Sequence, residues 1–438
     1  MNNVNETIWD VVVIGAGAAG LTASIYLAKA GRKVLLLERG AQPGGRAASQ
    51  ELAGARLNLG PHAVYKSALR ILEEVGVTVT GAAPGQNGKF LFEGADGEEV
   101  VVPLYKLMLG SFLKWSEKSQ MIRFYARLRK MDTSALQHVS LQDYLDERFA
   151  SPRVRGFVQA LVRVSSYCNA PELVSAGAVI DQLKMSQVLY VDGGWQSIVD
   201  QLKNRAHHAG VTIHSGTVVR EISGSSPRMT VQLKDGSRLS ARSVLSTAGP
   251  TETLALLDSE SDAPEAEIYK RLVPVRAACL DLVVSGMPEP ATKFALGADY
   301  PWYYSNHSAA ARLTDDARRS VIHVMKYLPP AEPSDATRNE RELEHFLDRI
   351  QPGWRKHVVE RRYLPHMTVS HAVVTASGGG LAGRPGVAVA GRPGLYVAGD
   401  WVGSEGMLLN ASLASAKEAA QCIIADIRME KEGMTRGA

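Results

Sequence analysis

Apolar residues at the start of the chain fall in short unbroken runs, Val11-Val12-Val13-Ile14 and Val34-Leu35-Leu36-Leu37, with an Ala- and Leu-rich stretch from Ala18 to Ala30 between them. Unbroken runs of this length suit strands of a parallel sheet buried on both faces, and a stretch of good helix formers closed by Gly31 suits a capped helix. The expected order is strand, glycine turn, helix, strand. Farther along the pattern alternates: Phe90 and Phe92, the turn Gly94-Ala95-Asp96-Gly97 and then Val100-Val101-Val102 predict a hairpin that starts a second unit. Helical periodicity covers 103–131 and 140–188, the latter opened by Ser140 and Asp143 as a capping box, and Gly193-Gly194-Trp195 opens another helix through Arg205. Strands are expected over 211–222, 228–233 and 241–247, with Asp235-Gly236 as a hairpin turn, and again over 277–284 and 321–327, with a charged helix over 339–350. No period is visible between Arg39 and Leu59. Residues 382–389 and 390–397 are near-copies, the second read as a strand and the first as a loop, and 412–427 is an Ala-rich helix.

Bulk properties narrow the classes. At 438 residues the chain exceeds what one core usually serves, so two units are expected. Lys and Arg number 49 against 45 Asp and Glu, which gives no reason to expect nucleic acid as a partner. Cys168, Cys279 and Cys422 are odd in number and far apart, against a disulfide framework, and no Cys/His cluster suggests a metal. A polar N-terminus and the lack of a ~20-residue apolar run lead to a cytoplasmic expectation. One stretch modifies it. Over 103–131, Phe112, Trp115, Met121, Phe124 and Tyr125 are interleaved with seven Lys and Arg, a pattern able to lie on an anionic membrane surface, so a membrane-peripheral placement stays open beside an ordinary packed helix pair. A homodimer is also left open.

The chemistry begins at the first turn. Gly15 reverses the chain, Gly17 lets the backbone approach a pyrophosphate, and Gly20 lets helix and strand pack closely. The helix start at Ala18 and Ala19 would direct free N–H groups and a positive dipole end at that phosphate. Glu38 follows at about the 20-residue interval where an acid meets a ribose, and its charge disfavours a 2′-phosphate. Gln42-Pro43-Gly44-Gly45-Arg46 is a loop with exposed backbone, Asn58-Leu59-Gly60-Pro61-His62 is a second tight element, and Thr247-Ala248-Gly249 ends a strand. Gly394 to Asp400 repeats strand, glycine and acid ahead of the last helix.

Taken together, Gly15 to Gly20, Glu38, Gly44-Gly45-Arg46, Gly60-Pro61-His62, Gly193-Gly194-Trp195, Thr217 to Ile222 and Gly394 to Trp401 resemble the flavin-containing amine oxidase and phytoene desaturase superfamily. The nearest branch is the bacterial phytoene-dehydrogenase-related NAD(P)/FAD-dependent oxidoreductases. The resemblance implies an α/β fold: a Rossmann-like, glutathione-reductase-type FAD-binding domain over 1–85, 190–250 and 366–438, with an inserted α+β substrate domain over 86–189 and 251–365. It implies FAD with the pyrophosphate on Gly15, Gly17, Ala18, Ala19 and Gly20, the ribose on Glu38 and the adenine on the backbone of Val219, with Arg39 among the residues that bind the cofactor. Gly44, Gly45, Arg46, Asn58, Gly60, Pro61, His62, Thr247, Ala248, Gly399 and Asp400 would complete the site, and N–H groups at Leu408 and Leu409 would meet the pyrimidine end of the flavin. With no cysteine beside the final motif, the cofactor is expected to be non-covalent. Trp401, Val402 and Met407 stand where monoamine oxidases carry an aromatic pair.

The implied reaction is removal of hydride from carbon to flavin N5, with C–C desaturation preferred, amine oxidation to an imine and H2O2 as the alternative, and O2 or a quinone as acceptor for a small-molecule substrate. A non-catalytic binding protein on the same fold is a third reading. Candidate catalytic groups are His62, Tyr304 and His371, and Arg163, Tyr167, Trp302, Tyr304 and Trp401 are candidates for substrate contact.

Overall fold

Because the runs at 11–14 and 34–37 have no polar face, they can only be covered on both sides. Ile8–Ile14 lies parallel between Val34–Leu37 and Arg238–Ser246, with Val12 opposite Leu35 and Val244. The complete sheet runs Thr212–His214, Val34–Leu37, Ile8–Ile14, Arg238–Ser246, Arg228–Leu233, Val219–Ser225, and Leu395–Val397 adds parallel to Arg238–Ser246. This is a computed structural model, and it describes residues 8–60, 62–185, 187–257, 264–330 and 332–436. The helices Ala18–Lys29 and Leu409–Arg436 join one core with this sheet through Leu21, Ile25, Ala416 and Ile423.

The second sheet is mixed. Its order is Val358–Ser370, Val275–Val284, Ser320–Leu328, Trp302–Asn306, Phe294–Gly297, Gly88–Glu93, Glu99–Pro103. On one face Phe90, Tyr303 and Tyr327 pack with the helices Trp115–Leu128, Pro152–Ser166 and Ala176–Lys184. On the other, Leu91, Leu280 and Tyr304 pack with Leu343, Phe346 and Leu347 of Ala336–Ile350. Both sheets agree with the expected α/β class and its Rossmann-like half.

Differences from the sequence reading have local causes. The stretch without period holds a hairpin, Ser49–Leu52 with Ala55–Asn58, turned by Ala53 and Gly54 at positive φ, a turn that Ala53 does not advertise. The helical stretch 103–131, by contrast, is a helix pair as one of its two readings has it, Leu104–Leu109 and Trp115–Leu128, parted at Gly110. The 140–188 segment ends in a strand, Val188–Val191, and 211–222 divides at Gly216 (φ 68°) into strands at opposite edges of the first sheet. Leu254 and Tyr269, in the segment 250–272, pack on the first core.

Arg163 ties the helical layer to the second sheet. It is 4% exposed and donates to the carbonyls of Gly297 and Ala298 at 2.9 and 2.7 Å. Burial lowers its pKa to about 10, so it remains charged at neutral pH. The expectation of substrate contact is therefore corrected, since the guanidinium is already held by main-chain oxygens. Arg163→Met is expected to lower stability by about 2–4 kcal/mol in denaturant titration, because two buried carbonyls lose a charged donor, while dinucleotide affinity stays at the wild-type value.

Candidate functional site

Around the first turn each glycine answers a different demand. At Gly15 (φ 97°) an added Cβ would meet Thr247 Oγ1 at 2.7 Å, and at Gly20 it would lie 1.9 Å from the Gly15 carbonyl oxygen. Gly17 differs: its φ is −74°, and a Cβ there would find only the Gly44 oxygen at 3.9 Å. No protein atom excludes a side chain at Gly17; the space belongs to the cavity. Gly17 also caps the helix Ala18–Lys29 with no side-chain acceptor, so the helix start is open to an anion. Glu38 is nearly buried and accepts the N–H groups of Ala16 at 2.8 Å and Gly40 at 2.7 Å, which braces the turn.

A cavity of about 560 Å³ extends from here. Gly15, Gly17, Ala18, Ala19, Glu38 and Arg39 line it, with Val219, Thr247 and Ala248. Gly44, Gly45, Arg46, Gly60, Gly399, Asp400, Leu408 and Leu409 continue the wall. Arg46 donates to both carboxylate oxygens of Asp400, at 2.7 and 3.0 Å, and to the carbonyl of Val369 at 2.8 Å. His371 Nδ1 is 3.0 Å from Asp400 Oδ1. Burial alone would raise the Asp400 pKa, but Arg46 and His371 together hold it far below the usual carboxylate range. Burial likewise opposes the charge on Arg46, and Asp400 more than offsets it.

Sequence reasoning missed Arg384. Its Nη1 donates to the Asp400 carbonyl at 3.1 Å and its Nη2 to that of Gly406 at 2.8 Å, bracing the turn before the last helix. Burial lowers its pKa to about 10, with Asp400 partly restoring it. The near-copy of 390–397 that contains Arg384 was the available signal. Tyr65, Ala63 and Val369 also line the cavity and carried no signal, and Thr217, the first residue of a stretch that carried the resemblance, lines it as well.

Among the remaining candidates, Tyr167 and His371 line the cavity. Seven lie elsewhere. Gly20 serves packing. Asn58 Oδ1 accepts the Trp195 N–H at 3.0 Å, holding the turn before the helix Gln196–His208. His62 is 3% exposed, with its ring against His323 and His307 behind the wall. Trp302 and Tyr304 share the sheet face under Ala336–Ile350, where Tyr304 accepts from Gln351 Nε2 at 3.0 Å. Trp401 packs edge-on against Tyr269 and donates to Ala248 O at 3.2 Å. Arg163 is the carbonyl staple described above. Pro61 lies outside the described residues. Among the described residues no group of three or more His, Cys, Asp or Glu is placed to hold a metal ion.

The cavity's chemistry fits FAD. Its length runs from an acid beside a glycine turn to the start of the last helix, Gly17 leaves backbone room for phosphates, and buried Trp195 Nε1 on the wall has no acceptor of its own.

A model of the family described as flavin containing amine oxidoreductase matches residues 18–268. Phytoene dehydrogenase of Streptomyces griseus is 27% identical over 286 residues, 56% of this chain and 55% of that one. One component of the limonene dehydrogenase of Castellaniella defragrans is 52% identical over 62 residues, 14% of this chain and 11% of that one. The chain thus spans about half the length, or less, of these curated relatives. A putrescine oxidase solved with putrescine bound superposes with a TM-score of 0.74 at 16% identity, covering 96% of this chain and 100% of that one, a likeness of fold.

The two glycines give a paired test. Gly17→Leu is expected to fold with stability within about 1 kcal/mol of wild type but to bind FAD at least about tenfold more weakly by fluorescence titration. Gly20→Leu is expected to lose about 3 kcal/mol or more, whatever the ligand, because its Cβ has no room.

Proposed function

The chain belongs to the flavin containing amine oxidoreductase family, and from that premise we propose that it removes hydride from a carbon of an apolar unsaturated substrate, forming a C–C double bond. FAD, when bound, supplies the hydride acceptor. One observation carries the substrate class: the lining contributed by Ala63, Tyr65, Tyr167, Thr368, Val369 and Leu408 has no ionised side chain. Three acids also line the cavity. Glu38 is held by main-chain N–H groups, Asp400 is neutralised by Arg46, and Glu252 stands exposed on Pro250–Leu256. Of the three, Glu252, close to His371 and Arg46, is the one an ammonium substrate would have to use, and no acid stands in the lining formed by Ala63, Tyr65, Tyr167, Thr368, Val369 and Leu408. Two relatives named for phytoene and limonene, both unsaturated hydrocarbons, support the same class.

The site residues follow this reading. The turn Gly15 to Ala19 binds the pyrophosphate, Glu38 and Arg39 the ribose, and the Val219 backbone the adenine. Arg46, kept in place by Asp400, and the helix start at Leu408 and Leu409 orient the flavin end. Tyr167 and His371 are the polar side chains beside the reacting carbon. Residues 1–85, 190–250 and 366–438 make the FAD domain and 86–189 with 251–365 the substrate domain, a division that the separate apolar cores support except over 250–272, where Leu254 and Tyr269 pack in the first core. O2 or a quinone reoxidises the protein.

An apolar substrate dissolves in bilayers, and the helices Leu104–Leu109 and Trp115–Leu128 suit a membrane surface. Tyr105, Leu109 (84% exposed), Trp115 (77%), Ile122 and Tyr125 project outward. Seven Lys and Arg surround them, and the one acid over 104–130, Glu117, is buried. No helix among the described residues is long and apolar enough to cross a membrane, so contact at the surface is proposed.

With the FAD-loaded protein held free of oxygen, phytoene or limonene is expected to bleach the yellow flavin and putrescine is not. Bleaching by putrescine alone would move the reading to C–N oxidation, and a protein that stays colourless with added FAD would remove the enzyme reading. In vesicle sedimentation, phosphatidylserine is expected to strengthen binding and salt to weaken it, and Leu109→Ser with Trp115→Ser is expected to lower it about tenfold or more.

A further inference from the structure

A row of polar side chains crosses the buried middle of the second sheet. Ser305, His323, Asp281 and Arg362 stand directly opposite one another on four adjacent strands, Trp302–Asn306, Ser320–Leu328, Val275–Val284 and Val358–Ser370. None is more than 9% exposed. Removing ions from water costs several kcal/mol before their attraction offsets it, so apolar residues of similar size would stabilise such a row at least as well. The row therefore calls for a role other than stability.

Its bonds are directional. Asp281 Oδ1 lies 2.5 Å from His323 Nδ1, and Asp281 Oδ2 accepts from Arg362 Nη2 at 2.6 Å and Nε at 3.0 Å. Arg362 Nη2 also donates to the Asn58 carbonyl at 2.6 Å. Burial opposes the charge of Asp281, and His323 and Arg362 together hold its pKa below the usual range. An ionised carboxylate only accepts, which places hydrogen on His323 Nδ1 and turns Nε2 to the opposite side. That atom has no partner, nor has His62 Nδ1, nor either ring nitrogen of His307. The three rings are mutual neighbours, with centroids 4.6 Å apart for His62 and His323, 4.8 Å for His62 and His307, and 4.3 Å for His307 and His323. Tyr303 stacks on His62 at 5.8 Å, and its hydroxyl and Ser305 Oγ both meet the Tyr190 hydroxyl.

The cluster lies one residue behind the cavity. Gly60 and Ala63, which bracket His62 in sequence, line the cavity, as does Tyr167. Tyr167 is held at φ 60° where it ends the helix Pro152–Ser166, with its ring edge-on to His62 at 6.2 Å.

We infer that His62 and His323, with Asp281 and Arg362 fixing His323, form a buried proton-holding site that takes up the proton lost by the substrate. The inference rests on the hydride-removing reading above. When a hydride leaves one carbon with its electron pair for FAD, the neighbouring carbon loses a proton and its C–H electrons become the new π bond. That proton passes Tyr167 to a free imidazole lone pair, where His62 and His323 hold it. Reoxidation by O2 or a quinone consumes two electrons and two protons, the transferred hydrogen and the held proton, and returns the imidazoles to neutral. His62 is the nearer acceptor and shares the proton with His323; Asp281 and Arg362 are positioning residues that act through His323.

An acceptor must be empty in order to accept. Burial first, then the neighbouring His323 and Arg362 against Asp281, pull the His62 pKa well below the usual imidazole value, and burial with the two adjacent histidines does the same to His307. The groups facing the pair from the elements around it are Asp281, Arg362, His307, Tyr167, Tyr190 and Tyr303. Carbon next to one that has given up hydride is strongly acidic, so a weak neutral base is sufficient to accept the proton, and its retention until reoxidation is kinetic, because His62 and His323 are enclosed from water. His62 and His307 bind protons below about pH 6.5 when unfolded and only at much lower pH when folded. Stability is consequently expected to fall as pH drops below that value.

The test uses FAD-loaded wild type, His62→Asn and His323→Asn, the last keeping an N–H donor for Asp281 but no basic nitrogen. Under anaerobic bleaching by phytoene, a pH-indicator dye should report no proton release from wild type, either during bleaching or on reoxidation, and release during bleaching followed by uptake on reoxidation from both variants. Bleaching in the variants should slow about 10²-fold with an altered pH profile, at unchanged flavin content. Independently of turnover, ring-nitrogen NMR of histidine-labelled protein should show His62 and His323 responding together to acid, with the coupling lost in either variant. Immediate release from wild type, an unchanged rate and pH profile in His323→Asn, or a His323 ring signal indifferent to loss of His62 would each overturn the inference. If neither hydrocarbon nor amine bleaches the wild type, the hydride-removing reading fails, and the NMR titration still decides whether the two rings share a proton.

Discussion

Arg46 and Asp400, separated by 354 residues, meet in a two-pronged ion pair across the cavity wall, and the rest of the site is arranged around that contact. The pair joins the loop after the first turn to the end of the strand Leu395–Val397. The same guanidinium takes the Val369 carbonyl, and the same carboxylate takes His371, so the last residues of Val358–Ser370 are drawn to the cavity as well. Arg384 grips the Asp400 main chain from behind. Three segments distant in sequence thus depend on one carboxylate, and its charge persists because its partners outweigh burial. Bidentate geometry matters here, since a lysine at position 46 could not engage both oxygens and the Val369 carbonyl with a fixed fork.

The row Ser305–His323–Asp281–Arg362 uses similar chemistry to a different end. At the cavity wall the Arg46 side chain is 38% exposed, so its charge remains available to a phosphate or flavin edge. In the sheet, Asp281 and Arg362 are enclosed, and their charges cancel locally. What survives is orientation: an imidazole with one nitrogen committed to Asp281 and the other without a partner. The cavity pair displays charge, while the sheet row directs it.

Much of the first half-site was legible in the chain because local geometry demands particular residues there. Gly15 needs positive φ, Gly20 needs space, and the apolar runs on either side have no polar face to display. The second sheet was less legible for a physical reason. Which of Trp302, Tyr303 and Tyr304 faces the histidines is decided by the pleat, and a shift of one residue exchanges the faces. Tyr303 faces His62, whereas Trp302 and Tyr304 meet the helix Ala336–Ile350. Asp281 opposite His323 and Arg362 is likewise a product of register across three strands, invisible to any window along one of them. Val358–Ser370 escaped because Arg361, Arg362, Pro365 and His366 interrupt its apolar pattern.

Two features that share no residues bear on the proposed apolar substrate. The uncharged lining beside Tyr65 and Tyr167 disfavours a cation, and the helices bearing Leu109 and Trp115 present aromatic and basic side chains to the outside. A hydrocarbon has negligible concentration in water, so a protein that oxidises one needs a route from a lipid phase more than it needs a carboxylate to attract the substrate. The inner face of Trp115–Leu128 packs, through Met121, Phe124 and Leu128, in the same apolar core as Tyr167. A surface suited to a bilayer and a residue on the cavity wall therefore belong to one packed layer, the arrangement an apolar substrate arriving from a membrane would require.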